Sequence, residues 1–409
     1  MKWAWSRRPG WDQACRVGLA LAVVSLTTSV LHRESADRPW WGDERHHLRQ
    51  IEMFCGGEYQ VYGKLTTIPG YHALVALLGR TGGGCSLRLA RGANAVFGLL
   101  CVVIFLLAAR RAAAALPTAR ALQFYFLPIL LPYHFLAYTD LLSLLLVLGS
   151  LLLLLRGCPA AAGGVGALSL LVRQNNVAWL AFICLYLLVE ERLWKGWRGK
   201  TAGYLRRAWP SLLGIAAFAG FLAANGSVVL HEKGAHRVGL HSENVFAALS
   251  LYCLLFLPSV LASLWIHRDR LADLRLMWLL ALGYLLFVWS FHPDHPYNEF
   301  DGFLRNDVLR VLNREPAIRL AFYLPAAAAM AALWLDGLRW PSLALVYPLA
   351  LGLLVPAWVI EARYYFVPYT LLLLFRKDQS PFVETLGVAY SGMLAGAALY
   401  GVLGGRFGL

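Results

Sequence analysis

The sequence predicts an all-α integral membrane protein, a polytopic bundle of about 11–13 transmembrane helices with a polar cavity on its extracytosolic side. Three observations lead there. Of 409 residues, 59% are hydrophobic and only 15% charged, far below the roughly 25% of a soluble domain, and mean hydropathy is +0.57. Apolar runs recur along the whole length, so residues 1–409 read as one membrane domain without room for a soluble one. The cations gather in alternate loops, as the positive-inside rule requires.

The first helix is expected over about 15–31. Lys2, Arg7, Arg8 and Arg16 precede its apolar stretch and imitate a signal peptide, but no small-x-small site closes it, so it reads as an uncleaved helix. A polar stretch, 32–91, forms the first extracytosolic loop region. Helices follow at 92–109, 121–137 and 140–155, then at 159–171 and 177–189, a pair interrupted by Arg173-Gln-Asn-Asn176. Beyond the basic loop 190–207 come 208–230, 245–266 and 276–291, and a second large outer loop occupies 292–315. The last runs are 316–335, 341–360, 364–375 and 383–405. Several are shorter than the ~20 residues of a simple span, so 159–189 reads as one broken pair. No internal repeat is visible.

With the N-terminus in the cytosol, the inner loops hold 20 Lys+Arg against 8 Asp+Glu, and the outer side 17 against 15. The loop 190–207 alone carries Arg192, Lys195, Arg198, Lys200, Arg206 and Arg207. The net charge of +14 is therefore a topology signal, and no interleaved basic-aromatic patch points to nucleic acid. Cys55 and Cys85 fall in the first outer region and can pair in an oxidising compartment; the other five cysteines lie in or beside apolar runs. The sequon Asn225-Gly-Ser227 lies inside an apolar run and is not expected to be glycosylated.

The same alternation collects the chemistry outside. Asp43 and Glu44 sit in Trp40-Trp-Gly-Asp-Glu-Arg-His-His47, a carboxylate pair beside imidazoles at the mouth of the bundle. Adjacent helical residues diverge by about 100°, so one of the two is expected to face the cavity. Lys64, Thr66 and Thr67 precede a Pro-Gly turn, which serves either as a helix entry or as a phosphate or sugar grip. Asp140 either caps the next helix or binds sugar. Arg173, Gln174 and Asn175 are costly between apolar runs unless they line a polar cavity. His292, Asp294 and His295 can ligate a divalent metal or belong to an ordinary Pro-rich loop; no metal or other cofactor is firmly implied. Arg363, beside Tyr364 and Tyr365, either anchors a helix at the interface or holds a lipid phosphate.

Taken in order, these segments resemble the polyprenyl-phosphate-glucose-dependent α-1,2-glucosyltransferases that add the last glucose to the lipid-linked N-glycan precursor. Asp43-Glu44 with His47 is similar to that family's first lumenal acidic motif, and Lys64-Leu-Thr-Thr-Ile-Pro-Gly-Tyr71 to its Thr-Thr-Pro-Pro-Gly segment. Tyr138-Thr-Asp140, Val172-Arg-Gln-Asn-Asn-Val177 and Ile360-Glu-Ala-Arg-Tyr-Tyr365 resemble three further motifs. Two departures stand out: Ile68 replaces the first Pro of the turn, and the His292–Asp307 loop replaces the family's Ala-Asp-Asn-Arg-His-Tyr segment.

The resemblance implies a GT-C-type bundle that takes a dolichyl or other polyprenyl phosphate glucose donor and a lipid-linked oligosaccharide acceptor. Transfer would invert the anomeric carbon. Asp43 is then the expected general base with Glu44 in reserve, since an acceptor hydroxyl needs a carboxylate to take its proton. Arg363, Arg173 and Lys64 are the expected phosphate ligands, with His292 and His295 as alternatives, while Asp140, Gln174 and Asn175 would hold sugar. The location implied is the endoplasmic reticulum membrane, or the inner membrane if the chain is bacterial, with the site on the lumenal or periplasmic side. A transferase with another acceptor such as a bacterial surface glycan, a transporter or flippase, and a structural subunit remain the competing classes.

Overall fold

The computed structural model describes residues 11–192, 196 and 199–408; Lys2, Arg7, Arg8, Lys195 and Arg198 lie outside them. In chain order the helices are α1 (Trp11–Ala36), α2 (Glu44–Cys55), α3 (Gly70–Gly82), α4 (Leu87–Arg111), α5 (Pro117–Tyr125) and α6 (Asp140–Leu155). Next come α7 (Pro159–Leu170), α8 (Val177–Glu190), α9 (Thr201–Asn225), α10 (Glu243–Leu255), α11 (Leu257–Ile266) and α12 (Leu274–Ser290). The last six are α13 (Leu304–Arg314), α14 (Pro316–Ala321), α15 (Tyr323–Asp336), α16 (Val346–Leu354), α17 (Phe366–Phe375) and α18 (Pro381–Leu403). Among the described residues β contacts are isolated bridges only, such as Val238 with Ala357 and Phe303 with Gly408.

The protein is an all-α polytopic membrane protein, but its apolar runs are not uniform rods. Five segments are long and apolar enough to cross a membrane: Ala14–Ala36, Leu87–Arg111, Thr201–Asn225, Pro316–Asp336 and Pro381–Leu403. A sixth is the pair α10 and α11, bent by 88° where Pro258 opens the second helix. Five other apolar helices are shorter. The sequence expectation of 11–13 spans counted runs that proline divides. The run 121–137 ends as α-helix at Tyr125, before Pro128, and resumes as a 3-10 turn over Leu131–Phe135 that contains Pro132. The run 341–360 ends at Leu354, before Pro356. Each proline removes a backbone donor and clashes with the preceding turn. The run 208–230 ends at Asn225, so the sequon begins on the last helical residue, and the Asn225 amide donates to the carbonyls of Ser227 and Val229 at 2.8 and 2.7 Å.

At the periphery, α1 and α9 turn Leu19, Leu26, Trp209 and Leu213 outward, as lipid-facing helices do. Packed against α6, α8 and α9, α7 is rich in small residues: a Cβ on Gly166 would press on the side chains of Leu180 in α8 and Ser150 in α6, so a small residue here favours close helix approach. At the centre stands α17, apolar on every side and buried along its length apart from half-buried Val367. It packs against α4, α5, α6 and α16 and carries the turn Glu361–Tyr365 at its N-terminal end. Near that same end, α2 and α3 form a hairpin tied to the start of α4 by a Cys55–Cys85 disulfide.

Candidate active site

The tight corner Tyr138-Thr139-Asp140, at the start of α6, joins elements far apart in sequence. Gly42 has a left-handed φ of +57°, and a Cβ there would collide with the Tyr138 hydroxyl. This close approach lets the Asp43 backbone N–H donate to that hydroxyl at 2.9 Å. Asp43 stands at the N-terminus of α2 without capping it by its side chain, and its carboxylate is 55% exposed. One oxygen lies 3.5 Å from the Arg363 guanidinium, which also stacks 5.3 Å over the Tyr138 ring and reaches Glu361 at 3.2 Å. Glu361 in turn receives Arg305, from α13, at 2.6 Å. On the other side of the corner, buried Asp140 pairs with Arg173 at 3.0 Å, and the Arg173 Nε donates to the Thr139 hydroxyl at 3.1 Å.

Three guanidiniums thus converge around one corner. Burial first, then the positive charges of Arg363 and Arg173, push the His47 imidazole down to about 3. His47 is therefore neutral and a poor base, and its Nδ1 lies 2.9 Å from the Nε2 of His72. Burial alone would raise the Glu361 carboxyl, but Arg305 and Arg363 outweigh it and hold it down to about 2. Glu361 stays charged and gives its two arginines a fixed counter-ion. The Asp43 carboxylate, by contrast, is mostly exposed to solvent, with the Arg363 guanidinium 3.5 Å away.

The other residues singled out from sequence fall in several places. Glu44 diverges from Asp43, as neighbours on a helix must. It is fully buried and bound in a fork by Arg91 at 2.9 and 2.6 Å, and it also accepts from the backbone N–H groups of Trp41 and Ala137. Those four donors leave it no capacity as a reserve base. Lys64 is exposed and paired with Glu232 at 2.6 Å. With side chains 57% and 30% exposed, the pair sits at the solvent-facing rim of the cluster. Gln174 donates to the Thr66 carbonyl at 3.2 Å, which binds the Arg173 segment to the Lys64 loop. Thr67 Oγ1 and Asn175 Oδ1 are buried without a hydrogen-bond partner.

In the histidine loop, which could be a phosphate or metal site or an ordinary Pro-rich loop, the two imidazoles differ. His295 is buried, its Nδ1 accepts from the Tyr297 N–H at 2.9 Å, and its Nε2 therefore donates to the Ala235 carbonyl at 2.8 Å. With both ring nitrogens used it has no lone pair for a ligand. His292 is exposed, and Asp294 accepts from the Trp358 indole at 2.9 Å. Among the described residues no group of three His, Cys, Asp or Glu side chains is arranged to hold a metal.

Sequence reasoning passed over Arg91 and met Tyr138 and Arg305 only as parts of the Tyr138–Asp140 and His292–Asp307 segments, without a role of their own. Arg91 carried a signal: an arginine in the first turns of an apolar helix must find an acid. Arg305 carried none, since its partner Glu361 lies 56 residues away in sequence. A small, mainly apolar cavity lined by Val147, Ser150, Ser169 and Asn176 lies among α6, α7 and α8, and none of the charged cluster reaches it.

Comparison with known proteins adds the lineage. The chain is 28% identical over 427 residues to the Drosophila melanogaster protein named Dol-P-Glc:Glc(2)Man(9)GlcNAc(2)-PP-Dol alpha-1,2-glucosyltransferase, covering 93% of this chain and 94% of that one. The Mus musculus protein of the same name is 24% identical, over 86% and 87% of the two chains. The Candida albicans protein is 27% identical over 268 residues, 59% of this chain, and that alignment spans only 58% of the fungal protein's length. No solved structure matches. The DIE2/ALG10 family model matches residues 39–203 and 194–374, which takes in both Asp43 and Arg363. On that match, which runs through most of its length, the chain belongs to the DIE2/ALG10 family.

Proposed function

We propose that this protein is a membrane glucosyltransferase that moves glucose from dolichyl phosphate glucose to the 2-hydroxyl of a lipid-linked oligosaccharide, with inversion. The observation that carries this reading is the meeting of Asp43 and Arg363 over Tyr138 in a chain whose relatives bear that activity in their names. Asp43 takes the proton of the acceptor hydroxyl as it attacks the anomeric carbon. The leaving group is a phosphate, which needs cations rather than a general acid, and Arg363, beside Asp43, and Arg173, beside Asp140, would supply them. Lys64 guides the anionic donor from the rim, while Asp140, Gln174, Asn175 and Thr67 offer hydrogen bonds to sugar.

A disulfide between Cys55 and Cys85, at the far end of the helix that begins beside Asp43, supports a lumenal setting, since such bonds persist in oxidising compartments. The test is transfer by the purified protein from dolichyl phosphate glucose to a lipid-linked oligosaccharide ending in two glucoses. The product should gain one hexose in α-1,2 linkage. Absence of that product with both substrates present overturns the reading.

A further inference from the structure

We propose that Arg305 is the cation that meets the charge appearing on the donor phosphate as the sugar departs, with Glu361 as the residue that positions it. The inference rests on the donor reading above and concerns the same site.

The transfer moves charge. A dolichyl phosphate glucose donor is a phosphodiester with one negative charge. When the bond between the anomeric carbon and the phosphate oxygen breaks, its electron pair stays on that oxygen and a phosphate monoester departs. The acceptor oxygen bonds the anomeric carbon, and its proton passes to Asp43. One negative charge therefore leaves Asp43 and a second arrives on the phosphate. A cation paired with the ground state alone does not accelerate this; one that interacts more strongly with the dianion does.

The three arginines are not equivalent in this respect. Arg173 is paired with buried Asp140. Arg363 already shares its charge between Asp43 and Glu361. Arg305 has Glu361 as its only acidic partner among the described residues, and it shares that carboxylate with Arg363. Arg305 and Arg363 are balanced by Glu361 and Asp43 while Asp43 is ionised; once Asp43 takes the acceptor proton, the group carries one net positive charge in a mostly buried setting, where the phosphate's new charge is favoured.

Arg305, the second residue of α13, is also held in place from several sides. Its Nε donates to the Asn306 amide oxygen at 2.9 Å. Asn306 is completely buried and donates to the carbonyls of Tyr297 and Phe300 at 2.8 and 2.9 Å, which fixes the loop's path. The preceding residue, Leu304, donates its N–H to the Gly408 carbonyl at 2.9 Å, and the guanidinium lies 5.5 Å over the Phe303 ring. Such preorganisation is what a group acting on a transient charge requires.

The test compares Arg305→Ala and Arg305→Lys with the unmodified protein in transfer, and in direct binding of dolichyl phosphate and of dolichyl phosphate glucose. Arg305→Ala should lower kcat by about 10²–10³-fold with donor KM within about threefold. Its affinity for dolichyl phosphate should fall at least tenfold while affinity for the glucosylated diester changes by less than about threefold, and lysine should recover part of both. Equal loss for the two ligands, or no loss for either, overturns the proposal. If the unmodified protein does not turn the donor over, the donor reading fails, and the two binding constants still decide the role of Arg305. Should the alanine variant not fold, Arg305→Gln and the lysine variant carry the same binding comparison.

Discussion

The two ends of α17 carry clusters of the same residue types with opposite outcomes. At its C-terminal end, fully buried Arg120 donates to the carbonyls of Leu374, Arg376 and Lys377 and pairs with Asp378 at 2.9 Å and Glu384 at 3.3 Å. Arg376 holds the other Glu384 oxygen at 2.6 Å, and Arg339 pairs with Asp378. Each guanidinium there has a carboxylate partner and a carbonyl oxygen besides, from the backbone for Arg120 and Arg339 and from the Gln123 and Gln379 amides for Arg376, although the Nε of all three is buried without a hydrogen-bond partner. At the N-terminal end, Arg173, Arg305 and Arg363 face Asp140 and Glu361, and the third acid, Asp43, sits at the edge with most of its carboxylate in solvent. The first arrangement is sealed and welds α5, α17 and α18 together. The second leaves one acid, Asp43, open to solvent beside a guanidinium, which is what a site for an anion and a hydroxyl needs. Charge clusters differ in function by what they leave open to solvent, not by composition.

Three changes test that contrast. The largest effect is expected for Asp43→Asn, which should lower kcat at least about 10³-fold, because the acceptor proton then has no carboxylate to go to. The thermal midpoint should hardly move, since the side chain is half exposed. Near-normal turnover would place the base elsewhere. Next comes Glu384→Leu at the sealed end, which strands two buried guanidiniums and should cost about 3–5 kcal/mol of stability. A lowered melting midpoint, with turnover per folded molecule kept, is the expected reading; a loss of turnover without a loss of stability would break the division between the ends.

The smallest effect concerns acid. His47 has its pKa pushed down to about 3 in the folded protein, so below its ordinary value of 6.5 the unfolded chain takes up a proton that the folded chain refuses. Its contribution to stability is therefore intact above 6.5 and is lost as pH falls toward 3, by on the order of 1 kcal/mol per pH unit. Melting curves from pH 7 to pH 4 should show a steeper decline for the unmodified protein than for His47→Asn. Parallel declines would mean that His47 is not held neutral by burial and the two arginines.

Much of this was legible from sequence for a definite reason. Hydrophobic runs and loop cations report partition between water and lipid, which is a local property of each segment. The positions of Asp43, Arg173 and Arg363 were visible because polar groups beside apolar runs need an explanation wherever they occur. Proline's effect on the runs was in the sequence as well, at Pro128, Pro258 and Pro356, although a hydropathy count alone overlooks it.

What the chain could not state was pairing. That Asp43 and Glu44 part company follows from helical geometry, but which one turns inward depends on Arg91, on a different helix 47 residues further on. The histidines of the 292–298 loop looked equally ready to bind a ligand, and only the fold, which places the Ala235 carbonyl and the Tyr297 N–H against His295, removes that one from contention. The sequence by itself determined the class of protein, its helices and the set of polar groups from which a site had to be built. The tertiary structure alone decided which carboxylate is consumed and which is left free, because hydrogen-bond capacity is limited and long-range packing settles who fills it.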